Sequence, residues 1–290
     1  MRSSVIIIGN PAARGSSLRK MEKAAELFRQ RGYDAELLLT HRRGDAERLA
    51  AEYRQLNPGM IVAAGGDGTI NEALNGIAGS DVPLAIIPMG TTNVLAKELG
   101  IPEDVAAAVE AAATKPARRV SLGRISVSRG DRYFCLMAGI GFDGSAVHGM
   151  NTAIKKVSGA LAYVLSGVRG LVAYGPSELN VLIDGKAYQG YQAIIGKASK
   201  YGGHFRATPD AALTDPHFYV CIFRGKRRLD LLRYVVGIVR GAHLGYDDVV
   251  YVKADEIEVS GEAHIQIDGD YLGTTPARIT VAPDAVRLIY

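Results

Sequence analysis

The chain has 290 residues, 48% of them apolar and 22% charged, with a formal net charge of +4. This is the normal globular range, long enough for one large domain or two modest ones, and so small a positive excess gives no footing for nucleic-acid binding on its own. Two cysteines, Cys135 and Cys221, each inside an apolar run, make neither a disulfide framework nor a thiolate metal site and point to buried thiols in a reducing cytoplasm.

The opening MRSSVIIIGNP has an apolar run too short for a signal peptide. No stretch reaches the ~20 uninterrupted apolar residues of a membrane span, and the nearest, Gly159 to Ala173, is broken by Arg169. Ser4 to Gly9 is β-branched and reads as a buried strand. Ser16-Ser17 can cap a helix that places Leu18, Met21, Ala25 and Phe28 on one face, with Gly32 as its stop. Ala35 to Thr40 is a second strand, and Asp45 to Leu56 a second helix ending near Asn57-Pro58. MIVAAG is a third strand, Thr69 to Ile77 a helix, PLAIIPMG a fourth strand, and Glu103 to Ala113 another helix. This alternation predicts an α/β domain with a parallel sheet covered by helices.

The period changes near Lys115-Pro116. From there short alternating runs dominate, at 118–143, 177–196, 217–225, 249–261, 262–273 and 277–283, interrupted by helical patterns around Thr152 to Val172 and Leu229 to Arg240. The pattern predicts a second, mostly antiparallel domain of β-sandwich type. The boundary lies near Val120: residues 1–120 form the α/β domain, which the last strand near 278–290 is free to rejoin, and residues 121–277 form the β domain.

In an open parallel sheet, ligands bind beyond the carboxyl ends of the strands. Three polar or glycine-rich loops fall at such ends: GNPAARGSS after strand one, GGDGTINE after strand three and PMGTTN after strand four. Each leads into a helix, whose first N–H groups and partial positive charge suit phosphate. One such loop alone reads equally well as a turn, with Gly65 and Gly66 reversing the chain, Asp67 as N-cap and Thr69 opening the helix. Three at one sheet edge favour a phosphate site. A carboxylate in such a loop suggests an accompanying Mg²⁺, so Asp67 points to metal-bound nucleotide. Neither G-x-x-x-x-G-K-[ST] nor G-x-G-x-x-G after strand one is present.

GGDGTINEALNG followed by PMGTTN resembles the catalytic domain of the diacylglycerol kinase and sphingosine kinase superfamily, above all its small soluble bacterial lipid kinases. The resemblance runs along almost the whole chain: Asn10-Pro11, AGIGFDGSAV (Ala138 to Val147), YGGHFRATPDAALTD (Tyr201 to Asp215) and IQIDGDYL (Ile265 to Leu272) follow in the family's order. It implies a nucleotide-binding domain like those of phosphofructokinases and NAD kinases, a β-sandwich-like second domain, and ATP in a cleft between them.

By the same resemblance Asn10, Thr40, Gly65, Gly66, Asp67, Gly68, Thr69, Glu72 and Thr91 would hold ATP, with Asp67 organising Mg²⁺ at the phosphates. The acceptor is a lipid hydroxyl whose proton must leave as the phosphoryl group arrives. The family's base is the Glu of Asp-Gly-Glu; here that position is Asp270, one methylene shorter. Read without the family, Asp268-Gly269-Asp270 is a hairpin turn. A structural Mg²⁺ site is implied at Asp215, with backbone carbonyls of Ala212 and His217, although Thr214-Asp215-Pro216 departs from the usual acidic, glycine-containing turn. In the substrate region, Asn93-Val94 stands where many relatives have Asn-Asp.

A lipid substrate lies at a membrane surface, compatible with a cytoplasmic protein that touches the inner face peripherally. Asn151 to Tyr174 and Gly225 to Gly241 are basic and amphipathic, although most such helices turn their apolar face to the core. Two other readings stay open. One is a nucleotide kinase of the NAD kinase type, disfavoured because Asn71-Glu72 follow the glycine motif immediately. The other is a non-catalytic lipid-binding module, which Val94 and Asp270 would suit. Neither the lipid nor the oligomeric state, monomer or homodimer, is encoded in any motif.

Overall fold

A computed structural model of the chain describes residues 3–13, 17–148 and 175–290. The amphipathic stretch Asn151 to Tyr174 lies outside the described residues. The chain divides into two compact units, Met1–Leu122 with Pro283–Tyr290, and Gly123–Ala282.

In the first unit β1 (Ser4–Gly9), β2 (Asp34–Leu39), β3 (Met60–Gly65) and β4 (Pro83–Pro88) form a parallel sheet in the order β2-β1-β3-β4. The end of the chain's last strand adds a fifth parallel member, with Arg287 and Leu288 opposite Pro83 and Leu84. Val5 to Ile8, Ile61 to Ala64 and Leu84 to Ile87 are all buried. Strands buried on both faces need continuous apolar runs rather than alternation, which is what these segments supply.

Helices α1 (Leu18–Gln30), α2 (Asp45–Tyr53), α3 (Asp67–Ile77), α4 (Val94–Leu99) and α5 (Val105–Thr114) flank the sheet. The Ser17 hydroxyl caps α1 by accepting from the Lys20 N–H at 3.2 Å, and Met21, Ala24, Ala25 and Phe28 form its buried face. Several boundaries differ from the sequence reading, two of them for a clear local reason. Extended Gly66, at φ −90° and ψ −177°, is the N-cap of α3, so the helix begins at Asp67 rather than Thr69. The second helix is α-helical only to Tyr53; a 3₁₀ turn, Arg54–Leu56, and left-handed Asn57 at φ 49° close it ahead of Pro58.

The second unit holds β5 (Ala117–Val127, shared with the first), β6 (Gly130–Phe134), β7 (Met137–Ile140), β8 (Leu179–Ile183), β9 (Lys186–Gly190) and β10 (Gln192–Gly196). There follow the two-residue pair β11 (Lys200–Tyr201) and β12 (Phe205–Arg206), then β13 (Phe218–Phe223), β14 (Val249–Ala254), β15 (Glu256–Gly261), β16 (His264–Ile267), β17 (Asp270–Thr274) and β18 (Ala277–Ile289). One antiparallel sheet runs β14-β13-β10-β7-β16-β17. A second layer joins β9, β8, β15 and the start of β18 antiparallel, with the β5–β6 hairpin. Leu179, Val181, Ile183, Ile257, Val259 and Ile279 from the second layer meet Ala193, Ile195, Phe218, Val220, Ile222 and Ile265 from the first in one core. The expected combination of a parallel α/β domain and an antiparallel sandwich is therefore present.

Among the described residues this unit has two α-helices, α6 (Phe142–His148) and α7 (Arg228–Arg240). Helix α7 has apolar residues on two sides. Leu231, Tyr234 and Ile238 are buried, whereas Leu229, Leu232, Val235, Val236 and Val239 are exposed. Among the described residues no helix is long and apolar enough to cross a membrane.

Candidate functional site

The order β2-β1-β3-β4 places the topological switch point between β1 and β3, because the chain leaves β1 toward one side and β3 toward the other. The loops at those two strand ends are tied together. The Asn10 N–H donates to the Ala64 carbonyl at 3.0 Å, and the Asn10 side-chain amide donates to the Thr69 hydroxyl at 3.1 Å. Asn10 Oδ1 accepts from the Ala12 N–H at 3.0 Å, which holds the first loop in a tight turn. The loop after β4 joins them through the Met89 N–H, which donates to the Gly65 carbonyl at 2.8 Å. Thr40, buried at the end of β2, completes the edge with its N–H on the Gly9 carbonyl at 2.9 Å.

Glycine is needed where these loops touch. A Cβ on Gly90 would lie 2.7 Å from the Gly66 Cα and 2.8 Å from Asn93 Oδ1. Backbone cannot yield at such distances, so Gly90→Ala is expected to cost about 1–3 kcal/mol through overpacking. A thermal unfolding scan should show a melting temperature several degrees lower; an unchanged value would mean that the two loops separate freely.

Asp67 opens α3, and its Oδ1 accepts from the Leu95 N–H in the first turn of α4 at 3.4 Å. Its carboxylate thus stands at two helix N-termini, where negative charge is favoured. Asn93, left-handed at φ 50°, folds the preceding turn by accepting from the Gly90 N–H at 2.8 Å and donating to the Gly90 carbonyl at 3.1 Å. Thr91 is exposed, and so is Gly68, in the first turn of α3. Val94 is buried in the first turn of α4. Glu72 faces elsewhere: its two oxygens accept from the Gly44 N–H at 2.9 Å and the Ala46 N–H at 3.2 Å. That carboxylate caps α2 rather than turning to the glycine loop.

In the second unit Asp268 and Gly269 form the two-residue turn of the β16–β17 hairpin, with φ of 48° and 86°. Asp-Gly suits such a turn because both positions need positive φ. The Asp268 side chain does more than turn. Oδ2 accepts from the Cys135 N–H at 2.8 Å, and Oδ1 from the N–H groups of Leu136 and Met137 at 2.8 and 3.0 Å. Burial pushes this carboxyl above its ordinary pKa, opposed by those backbone donors. Asp270 follows as the first residue of β17, opposite Ile267.

A second enclosed carboxylate, Asp143 on α6, was not singled out in the sequence. Tyr201 donates its hydroxyl to Oδ1 and Gln266 donates its amide to Oδ2, both at 2.6 Å. Gln266 in turn accepts from the Gly269 N–H at 2.7 Å, linking Asp143 to the turn beside Asp270. Burial raises the Asp143 pKa, with the Tyr201 and Gln266 donors pulling it down. Gly139 leaves the room, since a Cβ there would fall 1.9 Å from Asp143 Oδ2. His148 stacks on His264 at 4.5 Å, and burial together with His148 holds the His264 pKa below its ordinary value.

The expected structural metal site does not fit. Lys197 is 0% exposed, and its ammonium donates to the carbonyls of Ala212 at 2.8 Å, Leu213 at 3.4 Å and Asp215 at 2.6 Å. The Ala212 carbonyl assigned to a metal is therefore already bonded. His217 pairs through Nδ1 with Asp255, and its Nε2 lies 3.9 Å from Asp215 Oδ1. Among the described residues no three His, Cys, Asp or Glu side chains are grouped to hold a metal. Burial pushes Lys197 down to about 8, with the Asp215 charge pulling it back. A lysine inside the apolar run QAIIGKASK was the available signal.

Residues 4–125 match the diacylglycerol kinase catalytic domain, and residues 137–290 match the YegS C-terminal NAD kinase beta sandwich-like domain. The diacylglycerol kinase of Bacillus subtilis strain 168 is 32% identical over 278 residues, covering 93% of this chain and 90% of that protein. The diacylglycerol kinase of Staphylococcus haemolyticus is 31% identical over 285 residues, covering 96% and 85%. A crystal structure of a provisionally named diacylglycerol kinase from Bacillus anthracis strain Sterne superposes with a TM-score of 0.83 at 22% identity, over 99% of this chain and 95% of that one. This last likeness is one of fold.

Proposed function

Because the chain belongs to the diacylglycerol kinase catalytic-domain family, a lipid-kinase type of protein, we propose that it transfers the γ-phosphoryl group of ATP, with Mg²⁺, to the hydroxyl of diacylglycerol or a related lipid alcohol. The observation that carries this reading is the joined set of loops at the switch point, where Gly66 and Gly90 bring bare backbone together at the start of α3. Such a cradle suits phosphate, and one acidic side chain beside it suits a phosphate-bound Mg²⁺.

When bound, Mg²⁺–ATP supplies the phosphoryl group and neutralises part of its charge. Backbone of residues 65–69, held by Asn10, would bind the phosphates, and Asp67 would hold the metal. The lipid oxygen bonds to the γ-phosphorus as the bond to the β-phosphate oxygen breaks and ADP leaves. Asp270 takes the hydroxyl proton. Asp143 and Gln266 position Asp270 through the Gly269 N–H. Incubation of the purified protein with labelled ATP, Mg²⁺ and a panel of diacylglycerols, sphingoid bases and other lipid alcohols tests the proposal. Label in NAD⁺ instead, or in no lipid, counts against it.

Contact with a membrane is part of the same proposal, supported by the outer face of α7. Leu229, Leu232, Val235, Val236 and Val239 are between 41% and 76% exposed, and Arg224, Lys226, Arg227 and Arg228 lie exposed at its start. Apolar side chains beside basic ones match an anionic lipid surface. A Leu232→Asp, Val236→Asp double variant is expected to keep its fold and to bind anionic vesicles at least about tenfold more weakly in co-sedimentation. Equal binding would place membrane contact elsewhere on the protein.

A further inference from the structure

Main-chain carbonyls that converge on one point form a cation site, since each presents the negative end of its dipole. The loop 212–215 brings three together, from Ala212, Leu213 and Asp215, and its cation comes from the chain itself. The Lys197 ammonium, fully buried, has three protons and meets three acceptors. We propose that Lys197 is a tethered cation that does for this loop what a bound divalent ion would otherwise do, so that the second unit needs no structural metal there.

The same residue is anchored through its backbone. The N–H groups of Lys197 and Ala198 both donate to the Leu136 carbonyl, at 2.8 and 3.0 Å, while the Leu136 N–H donates to Asp268. The Ala198 carbonyl accepts from the Thr208 hydroxyl at 3.0 Å. One run of hydrogen bonds therefore joins the 212–215 loop, the end of β10, residues 135–137 and the hairpin turn that precedes Asp270. In this arrangement Lys197 is a positioning residue: it touches carbonyls, and it acts on the turn through them. A covalent tether also makes the cation independent of divalent-ion concentration.

The inference does not depend on which acceptor is phosphorylated, and its test measures no turnover. Mn²⁺ is titrated into the protein without nucleotide and followed by electron paramagnetic resonance. The wild type and Asp215→Asn are expected to bind the same amount of Mn²⁺. One additional ion bound by the wild type and lost in Asp215→Asn would overturn the proposal. Lys197→Met, which keeps the length and removes the charge, is expected to melt about 5 °C or more below the wild type in chelator. A variant that melts with the wild type would overturn the proposal as well. If Lys197→Met does not fold, the Mn²⁺ comparison of wild type and Asp215→Asn decides alone.

Discussion

Asp67→Asn is expected to leave the fold intact and to lower phosphoryl transfer by on the order of 10³-fold. Asparagine keeps an oxygen for the Leu95 N–H, the bond that Asp67 Oδ1 makes at 3.4 Å, so the start of α4 stays capped. What it removes is the charge that would hold Mg²⁺ at the phosphates. The substitution thereby separates the two roles the position can have. If Asp67 served only to cap α4, the variant would melt and turn over like the wild type. If it holds the metal, melting is unchanged and activity is lost. Steady-state kinetics with Mg²⁺–ATP, beside a thermal scan of the same preparation, distinguishes the outcomes.

Asp268→Ala is expected to be the most destabilising single change among the second-unit positions discussed above. It leaves the N–H groups of Cys135, Leu136 and Met137 without the acceptors they now have. An unmatched buried donor costs about 1–3 kcal/mol, so the three together cost at least about 3 kcal/mol. Alanine is also less tolerant than aspartate of the left-handed conformation at φ 48°. For a unit of this size the loss corresponds to a melting temperature lower by roughly 6–12 °C. Asp268→Asn should fall between the two, since its single oxygen can still serve Leu136 and Met137 while its amide opposes the Cys135 N–H. Chemical denaturation of the three proteins gives the order; equal stability of all three would show that water replaces the carboxylate at no cost.

These two aspartates show what the sequence made legible and what it did not. The strands and their loops could be read because their signals are local. β1, β3 and β4 are continuous apolar runs, and each is followed by a polar or glycine-rich turn. The change to alternation near residue 116 likewise announced the second fold class. The short helix α6 was not expected, because residues up to Asp143 continue the alternating run, and the helix expected after PMGTTN is in fact two, the short α4 and then α5. The side-chain networks were hidden for a different reason. Asp143 meets Gln266 across 123 residues and Asp268 meets Cys135 across 133, and no periodicity connects such partners. Glu72 illustrates the converse. It lies next to the glycine motif in sequence, yet the helical turn carries it to α2, where Gly44 and Ala46 use both its oxygens. Asp268 was read as a turn residue, and it is one; that its side chain also organises residues 135–137 required the fold.

The most direct test of lipid phosphorylation is incubation of the wild-type protein with γ-labelled ATP, Mg²⁺ and diacylglycerol in anionic vesicles, with Asp67→Asn as the comparison. The account predicts label in the lipid phase as the phosphate monoester of diacylglycerol or of a related lipid alcohol supplied in its place, formed by the wild type and on the order of 10³-fold more slowly by the variant. Unlabelled lipid across all acceptors, or equal labelling by the two proteins, would contradict it.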